Sequence, residues 1–585
     1  MKRPQPRHLA VLSLLAAVGL FLAACTPSSG SSDSSGSAEA ETDASTTESA
    51  TLSSRYPGAY PDRIVLSWEK DPATSLSVTW RTDSTVTAAR AQIAVAKAEP
   101  SFYTEARTVP ADTEEIHTQS GADQNPNAHY HSVTFEDLEP NTLYAYRVGD
   151  GTHWSEWIHA ETASDTADPF SFVYLGDAQN NLRSHWSRTI RAAYTKEPNA
   201  DFFLHAGDLV DNAHRNREWG QWNHAGGWIQ SMKPNIAVPG NHEYDAFEKW
   251  MEEDTLDVTV SVDGVSMTGT ILEPDGNPES LEASADGSVD GLFGTWTYIV
   301  DGGEYEGKME ITDGSSGPTA RLVSKSGDEF PLRDVAVQGD TLTGEFLMEV
   351  EKEGEEHLSV HWHPQFTLPR NGPEGMKETV YYVDYQGMRI IGLNSNLRDS
   401  TQLRRQTEWL EETLQRTDTR WTVVTMHHPM YSSSEGRNNE DLRERWVPLF
   451  DAYGVDLVMQ GHDHTYARGR RAKNLTQGVN TRSPVGGTVY VNSVSGAKMY
   501  EIKKDRWESY DGIEMDRSAE NTQLFQVVHV RPDTLKYRSY TVTGEPYDAF
   551  NLIQRSGDRP AKMVELDPAR SEPRTHENTI QYARP

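Results

Sequence analysis

The stretch Val455-Asp456-Leu457-Val458-Met459-Gln460-Gly461-His462-Asp463-His464 is a short apolar run that ends in a glycine and two imidazoles. The run is too short for a helix and does not alternate, so it predicts a strand buried on both faces. Just upstream, Leu442, Trp446, Leu449 and Phe450 share one helical face, and Tyr453-Gly454 is a helix stop signal. A helix feeding a doubly buried strand is the unit of a layered α/β domain. The same strand pattern recurs along the chain. Phe172-Val173-Tyr174-Leu175 ends in Gly176-Asp177, and Phe202-Phe203-Leu204-His205 leads to Gly207-Asp208-Leu209-Val210-Asp211. Ile236-Ala237-Val238 leads to Pro239-Gly240-Asn241-His242-Glu243, and Trp421-Thr422-Val423-Val424-Thr425 to Met426-His427-His428-Pro429. Arg389–Leu393 is a further run, and Leu403, Thr407, Leu410 and Leu414 mark a second helical face.

Loops at the carboxyl ends of strands in an α/β sheet converge on one edge, so these five loops bring their side chains together. A glycine beside each donor lets the backbone turn and approach closely. Carboxylates, imidazoles and one amide oxygen suit zinc, manganese or iron rather than calcium alone. There are more donors than one ion uses. Two ions roughly 3.5–4 Å apart, joined by a carboxylate, clamp both oxygens of an in-line displacement at phosphorus. The set therefore reads as built to hydrolyse a phosphate ester. Taken singly, the residues have plainer readings. Asp177 alone is a helix N-cap. His205 is a satisfied core histidine or a support for a ligand, and Asp463 is structural between its flanking histidines. His428 meets substrate or points away, and Asp211 is a ligand or a solvated loop carboxylate. His214 and His224, with Trp219 and Trp222, line the pocket or pack on a loop.

The ordered series Gly-Asp, Gly-Asp, Gly-Asn-His-Glu, Met-His-His-Pro and Gly-His-Asp-His resembles the calcineurin-like metallophosphoesterases. With the strand-rich segment ahead of it, the chain is most similar to the purple acid phosphatase branch, over Pro57–Ile553 apart from an insertion. The resemblance implies an α/β fold, a double β-sheet sandwich flanked by helices (αββα). It implies Asp177 and His464 on a first metal, Asp208 bridging, and Asn241, His427 and His462 on a second. It places His242 outside the coordination sphere, as an acid near the leaving group, and makes a metal-bound hydroxide the nucleophile. The pair would be divalent or mixed-valence, of iron, manganese or zinc. The implied activity is hydrolysis of small phosphate monoesters, as in acid phosphatases. A phosphodiesterase or nucleotidase is the runner-up, and an envelope binding protein with a vestigial metal site is the reading from another class.

Three positions depart from the family pattern. Asp211 stands where the purple branch has the tyrosine that colours its iron, so no such colour is expected, while a carboxylate ligand at that position stays open. Gln179 stands two residues after Asp177, where many relatives have histidine, and its amide either ligates weakly or hydrogen-bonds. Ser432-Ser433-Ser434-Glu435 occupies the region where the purple enzymes carry an outer histidine.

The 585 residues predict about four units. Residues 1–25 carry three cations, an apolar run and Leu22-Ala23-Ala24-Cys25, which resembles a lipoprotein signal with Cys25 as the lipidated residue. Residues 26–55, rich in Ser, Thr, Ala, Asp and Glu, read as a disordered tether, so the folded part is expected at a membrane surface in the cell envelope. Residues 56–166 read as an all-β sandwich, in which Leu138–Tyr144 resembles the E–F corner of fibronectin type III modules. Residues 167–251 and 363–556 form the catalytic domain, 252–362 an inserted β-rich module, and 557–585 a tail. Cys25 is the only cysteine, which excludes an internal disulfide and a cysteine-ligated zinc. The net charge of −34 argues against nucleic acid as a stable partner. It leaves phosphate admissible only where a strong local positive source, such as two divalent ions, inverts the field.

Overall fold

A computed structural model describes residues 56–566, apart from 117–125, 245–248, 273–277, 301–304, 316, 325–328, 354–355, 472–486, 504–505, 508, 511 and 555–561. The expected signal, Cys25 and the tether lie outside the described residues, as does the expected tail except for 562–566.

The first domain is a sandwich of two four-stranded antiparallel sheets. One has the order Asp62–Ser67, Leu76–Thr82, Ala128–Phe135, Asp112–Ile116, and the other Arg107–Pro110, Arg90–Val95, Leu143–Gly149, Ile158–Glu161. Val78, Trp80, Ile93, Phe135, Tyr146 and Val148 belong to its buried core. At the turn before Leu143–Gly149, the Tyr144 hydroxyl accepts from the Glu139 N–H at 2.8 Å, which ties the corner to the strand.

Two seven-stranded sheets form the α/β domain. The first runs Asn235–Ala237, Phe202–His205, Phe170–Leu175, Leu524–Val530, Thr534–Thr541, Pro546–Ile553, Lys562–Glu565. The second runs Tyr381–Tyr385, Met388–Gly392, Trp421–Thr425, Leu457–Gln460, Val489–Asn492, Tyr466–Arg471, Ile513–Ala519. The strands carrying the donor loops pair in parallel with their neighbours in the first half of each sheet. In the second sheet, Ile390, Val423, Leu457 and Val489 join the core shared with the first sheet. Ile391, Val424, Val458 and Tyr490 alternate with them and pack on helices Ser400–Gln415 and Glu440–Tyr453 through Leu403, Leu410, Trp446 and Phe450. Both faces are thus covered, which is why these strands read as unbroken apolar runs. Asp399 caps the first helix, its carboxylate accepting from the Thr401 and Gln402 N–H groups. Gly454 ends the second in the left-handed conformation, φ 69°.

The strand Lys562–Glu565 corrects part of the expected tail: it adds an edge to the first sheet by pairing with Pro546–Ile553. The expected end of the insertion is corrected as well. Trp362 is fully buried in the α/β core, and Ser359 donates to the Ala213 carbonyl, so 356–362 belong to the catalytic fold. The inserted segment itself is a compact unit over 249–353, a closed antiparallel barrel of eight strands from Lys249–Asp263 to Thr341–Glu353. The first and last strands pair along their length, and Val260, Met267, Trp296, Met309 and Leu342 are buried in its core. Residues 249–353 hold 24 Asp and Glu against 6 Lys and Arg, so this unit carries much of the chain's negative charge.

Candidate metal centre

The parallel strands deliver their donors to one edge, and the turns there hold backbone against carboxylate. A Cβ on Gly240 would lie 2.1 Å from Asp208 Oδ1, and one on Gly461 would lie 2.2 Å from Asp177 Oδ1. Only glycine fits between the turns and the acids they surround. His462 and His464 adopt positive φ, 78° and 49°, so the loop after Leu457–Gln460 holds both imidazoles in a backbone region that is costly for non-glycine residues.

His427 Nδ1 donates to the Ala206 carbonyl at 2.9 Å, which turns Nε2 toward the centre. Around that Nε2, Asn241 Oδ1, His462 Nδ1 and Asp208 Oδ2 each lie at 3.1 Å. His464 Nδ1 donates to the Lys498 carbonyl at 3.1 Å, and its Nε2 lies 3.5 Å from Asp177 Oδ2. A backbone acceptor on one imidazole nitrogen fixes the tautomer that offers the other as a ligand. The structure thus gathers Asp208, His427 and His462, with Asn241 at their edge, and Asp177, Asp208 and His464. Within each group of three, the donor atoms lie within 4.8 Å of one another. Asp208 is common to both groups.

The electrostatics of these groups are those of a site closed by protons. Burial drives Asp177 up to about 7, with Asp208 adding to the shift and His427 opposing it. Burial works against ionised Asp208 too, yet His427 and His242 outweigh it and hold this carboxyl far below the usual range. His427 is correspondingly raised to about 9 against its own burial. Burial lowers His464 to about 3 and His462 well below its ordinary value, so both are neutral lone-pair donors. Among the described residues, Asp177 Oδ2 and Gln179 Oε1 are buried with no hydrogen-bond partner. Acceptors in that state are what a cation would satisfy, and the donor set fits two divalent ions sharing Asp208. Gln179 adjoins the first group, its Nε2 donating to Asp208 Oδ2 at 2.9 Å and to His464 Nε2 at 3.0 Å.

The other candidates fall into distinct places. His242 donates through Nδ1 to the Asp211 carbonyl, and its Nε2 lies 3.9 Å from Asp208 Oδ2 at the mouth of the site. The Asp211 carboxylate, 40% exposed, accepts from Asn180 Nδ2 and belongs to neither donor group. His428 packs its ring 4.3 Å from that of His462 and shares a hydrogen bond with Ser395 Oγ. His214 is buried against His357, outside both groups. His205 bonds Asn235 within the core, and burial pushes it down to about 4. Trp219 and Trp222 are fully buried. Helix Asn216–Gly226 buries both, with Trp222 stacked on Trp186. His224, on the same helix, instead lines a cavity of about 360 Å³ shared with Arg63 of the first domain. Asp463 is buried and held by Ser432 and Ser433.

Sequence reasoning assigned no role to Glu243. Its buried carboxylate accepts from the N–H groups of Asp208, Leu209 and Gly240, locking two donor loops together. The signal was present in the Gly-Asn-His-Glu string. Arg437, Lys498 and Tyr500 at the rim were also missed, since no strand-end pattern marks their loops.

Residues 61–162 match the family model described as purple acid phosphatase, N-terminal domain, and 164–305 with 349–466 match calcineurin-like phosphoesterase. Purple acid phosphatase 1 of Ipomoea batatas is 23% identical over 363 residues, which cover 60% of this chain and 54% of that protein. An uncharacterized protein of Mycobacterium tuberculosis is 43% identical over 67 residues, 11% of this chain and 12% of that one. The chain thus spans about half the length of the first of these relatives and far less of the second. The structure of purple acid phosphatase PPD1 from yellow lupin (Lupinus luteus) seeds aligns with a TM-score of 0.54 at 18% identity, covering 84% of this chain and 74% of that one.

Proposed function

Since the chain belongs to the calcineurin-like phosphoesterases and carries a purple acid phosphatase N-terminal domain, we propose that it is a metal-dependent phosphatase acting on small phosphate monoesters. The observation that carries this reading is the pair of buried donor groups sharing Asp208, with Asp177 Oδ2 and Gln179 Oε1 unpartnered. Asp177, Asp208 and His464 would hold one ion, and Asp208, Asn241, His427 and His462 the other, of iron, manganese or zinc. When bound, the two ions would supply Lewis acidity toward the phosphoryl oxygens and lower the pKa of water. The chain's own residues do the rest. Glu243 keeps the two donor loops in register. His242, oriented by the Asp211 carbonyl, presents Nε2 at the mouth, where it protonates the departing oxygen. His428, buried and held neutral by its surroundings, braces the His462 ring.

The test is metal removal by a chelator, reconstitution with manganese, zinc or iron, and phosphate release from an aryl phosphate and the matching diester. The reading expects activity to return with about two ions per chain and the monoester to be preferred. Full turnover by metal-free protein would sink it, and preference for the diester would move it to the phosphodiesterase alternative. We also propose that Cys25 carries a lipid that anchors the protein at the cell envelope. A Cys25→Ser chain released from membranes would support this, and one that stays bound would overturn it.

A further inference from the structure

We propose that Arg437, Lys498 and Tyr500 form an anion-binding rim beside the metal centre, which favours phosphate esters whose leaving group carries a second anionic group. The inference rests on the phosphoesterase reading and names the substrate class of that same site.

Each residue is tied to a ligand loop. Arg437 donates through Nη1 to the His462 carbonyl, and the same nitrogen lies 3.4 Å from Asp463 Oδ1. Lys498 offers its carbonyl to His464 Nδ1. Tyr500 sets its ring edge-to-face on His464 at 4.7 Å, and its N–H donates to the His464 carbonyl at 3.2 Å. The two cations then meet over one ring: the Arg437 guanidinium lies 5.1 Å from the Tyr500 centroid and the Lys498 ammonium 5.8 Å.

The rim sets two cations against one carboxylate among the described residues. Asp463, the one carboxylate that Arg437 touches among the described residues, is already held by Ser432 Oγ and by the N–H and Oγ of Ser433. Arg437 spends one nitrogen there, and its Nε and Nη2 have no partner among the described residues, although its side chain is only 25% exposed. Lys498 has no carboxylate partner among the described residues, whereas nearby Lys503 pairs with Glu435 at 3.0 Å. In a chain of net charge −34, two cations left open beside a metal centre are a local exception. A guanidinium with two free donors suits a planar or tetrahedral oxyanion, and the lysine adds a mobile point charge beside it. The scissile phosphoryl group would occupy the metal centre, so an anion at the rim belongs to the leaving group.

The experiment uses the metal-loaded full chain and a matched pair of aryl phosphates, one plain and one with a phosphonomethyl substituent. The wild-type kcat/KM should favour the substituted ester by about 10-fold, mostly through KM, and this preference should shrink as salt rises. Lys498→Gln should cut the ratio about 5-fold and Arg437→Gln further, with Arg437→Lys restoring part of it. Lys97→Gln, on the first domain, should leave both rates unchanged. An unaltered ratio in Lys498→Gln, or equal losses on both esters in both rim variants, would overturn the proposal. If the metal-loaded wild type hydrolyses neither ester, it is the phosphoesterase reading that fails.

Discussion

Two clusters of buried charge lie in the same pair of sheets and are balanced in opposite ways. In the first, Arg468 on the strand Tyr466–Arg471 reaches Asp548 at 2.6 Å, Asp516 at 2.9 Å and Glu565 at 2.9 Å. The Tyr466 hydroxyl donates to Asp548 at 2.6 Å as well. Asp548 and Glu565 belong to the first sheet and Arg468 to the second, so this cluster bolts the layers together. The second cluster is the candidate metal centre, which begins two residues before the same strand, at His464. There acceptors converge on one another, and Asp177 Oδ2 and Gln179 Oε1 go unanswered. A buried network that satisfies its own charges serves the fold, and one that leaves acceptors unpaired holds a place for a cation.

The sharpest way to break this contrast is to remove the shared carboxylate. Asp208→Ala should lower kcat/KM by a factor of about 1,000 or more and abolish stoichiometric binding of two ions. Its metal-free stability should change far less than its activity. Phosphate release, metal analysis and urea unfolding on one preparation decide the matter. Retained turnover would place the centre with the structural network instead.

Arg468→Met is the mirror experiment. It strands Asp548 among other carboxylates, and breaking a buried pair in this way costs about 3–5 kcal/mol. The urea midpoint of the two-sheet domain should fall accordingly, while kcat per folded molecule and metal stoichiometry should hold. Loss of metal with little loss of stability would erase the distinction between the two clusters.

A finer cut falls on Gln179, which touches the centre through Asp208 and His464. If its orphan oxygen faces the first ion in the loaded protein, Gln179→Ala should weaken the affinity for one of the two ions about tenfold. Competition with a chelator measures this. Unchanged affinities for both ions would leave Gln179 as a hydrogen-bonding prop.

The contrast also marks what was legible in the sequence. The convergence of the candidate donors was, because each closes a short apolar run with a glycine beside it, and strand ends in a layered sheet converge by topology. The Arg468 cluster was not: Asp516, Asp548 and Glu565 are ordinary polar positions on separate strands, and only the cross-layer packing unites them. Arg437 and Lys498 escaped for the same reason. The barrel was half legible. Hairpin pieces such as Gly294–Val300 stood out, but closure needs Lys249–Asp263 to pair with Thr341–Glu353, and no local pattern encodes that register. Trp219 and Trp222 misled because a helix following a Gly-Asp loop can turn its aromatics into the core as readily as toward a pocket.

Asp456 tests the rule behind the comparison, since it is a buried acid with neither a cation nor a hydrogen-bond network among the described residues. It is 3% exposed and accepts one hydrogen bond, from the Thr422 N–H at 2.9 Å. Burial pushes it up to about 8. The folded state therefore holds the proton more tightly than the unfolded chain, whose carboxyl titrates near its ordinary value. Stability contributed by the neutral acid is present at low pH. It declines as pH rises above that ordinary value, and the loss is complete once pH passes about 8. Asp456→Asn keeps an acceptor for Thr422 and cannot ionise. Calorimetry at pH 5 and pH 9 should find the variant more stable than the wild type at the higher pH, by about 1–2 kcal/mol after relaxation and water entry, with the gap shrinking at the lower pH. A gap of the same size at both pH values would show that the acid is already ionised at pH 5, and that a single backbone donor suffices to hold a buried carboxylate in this fold.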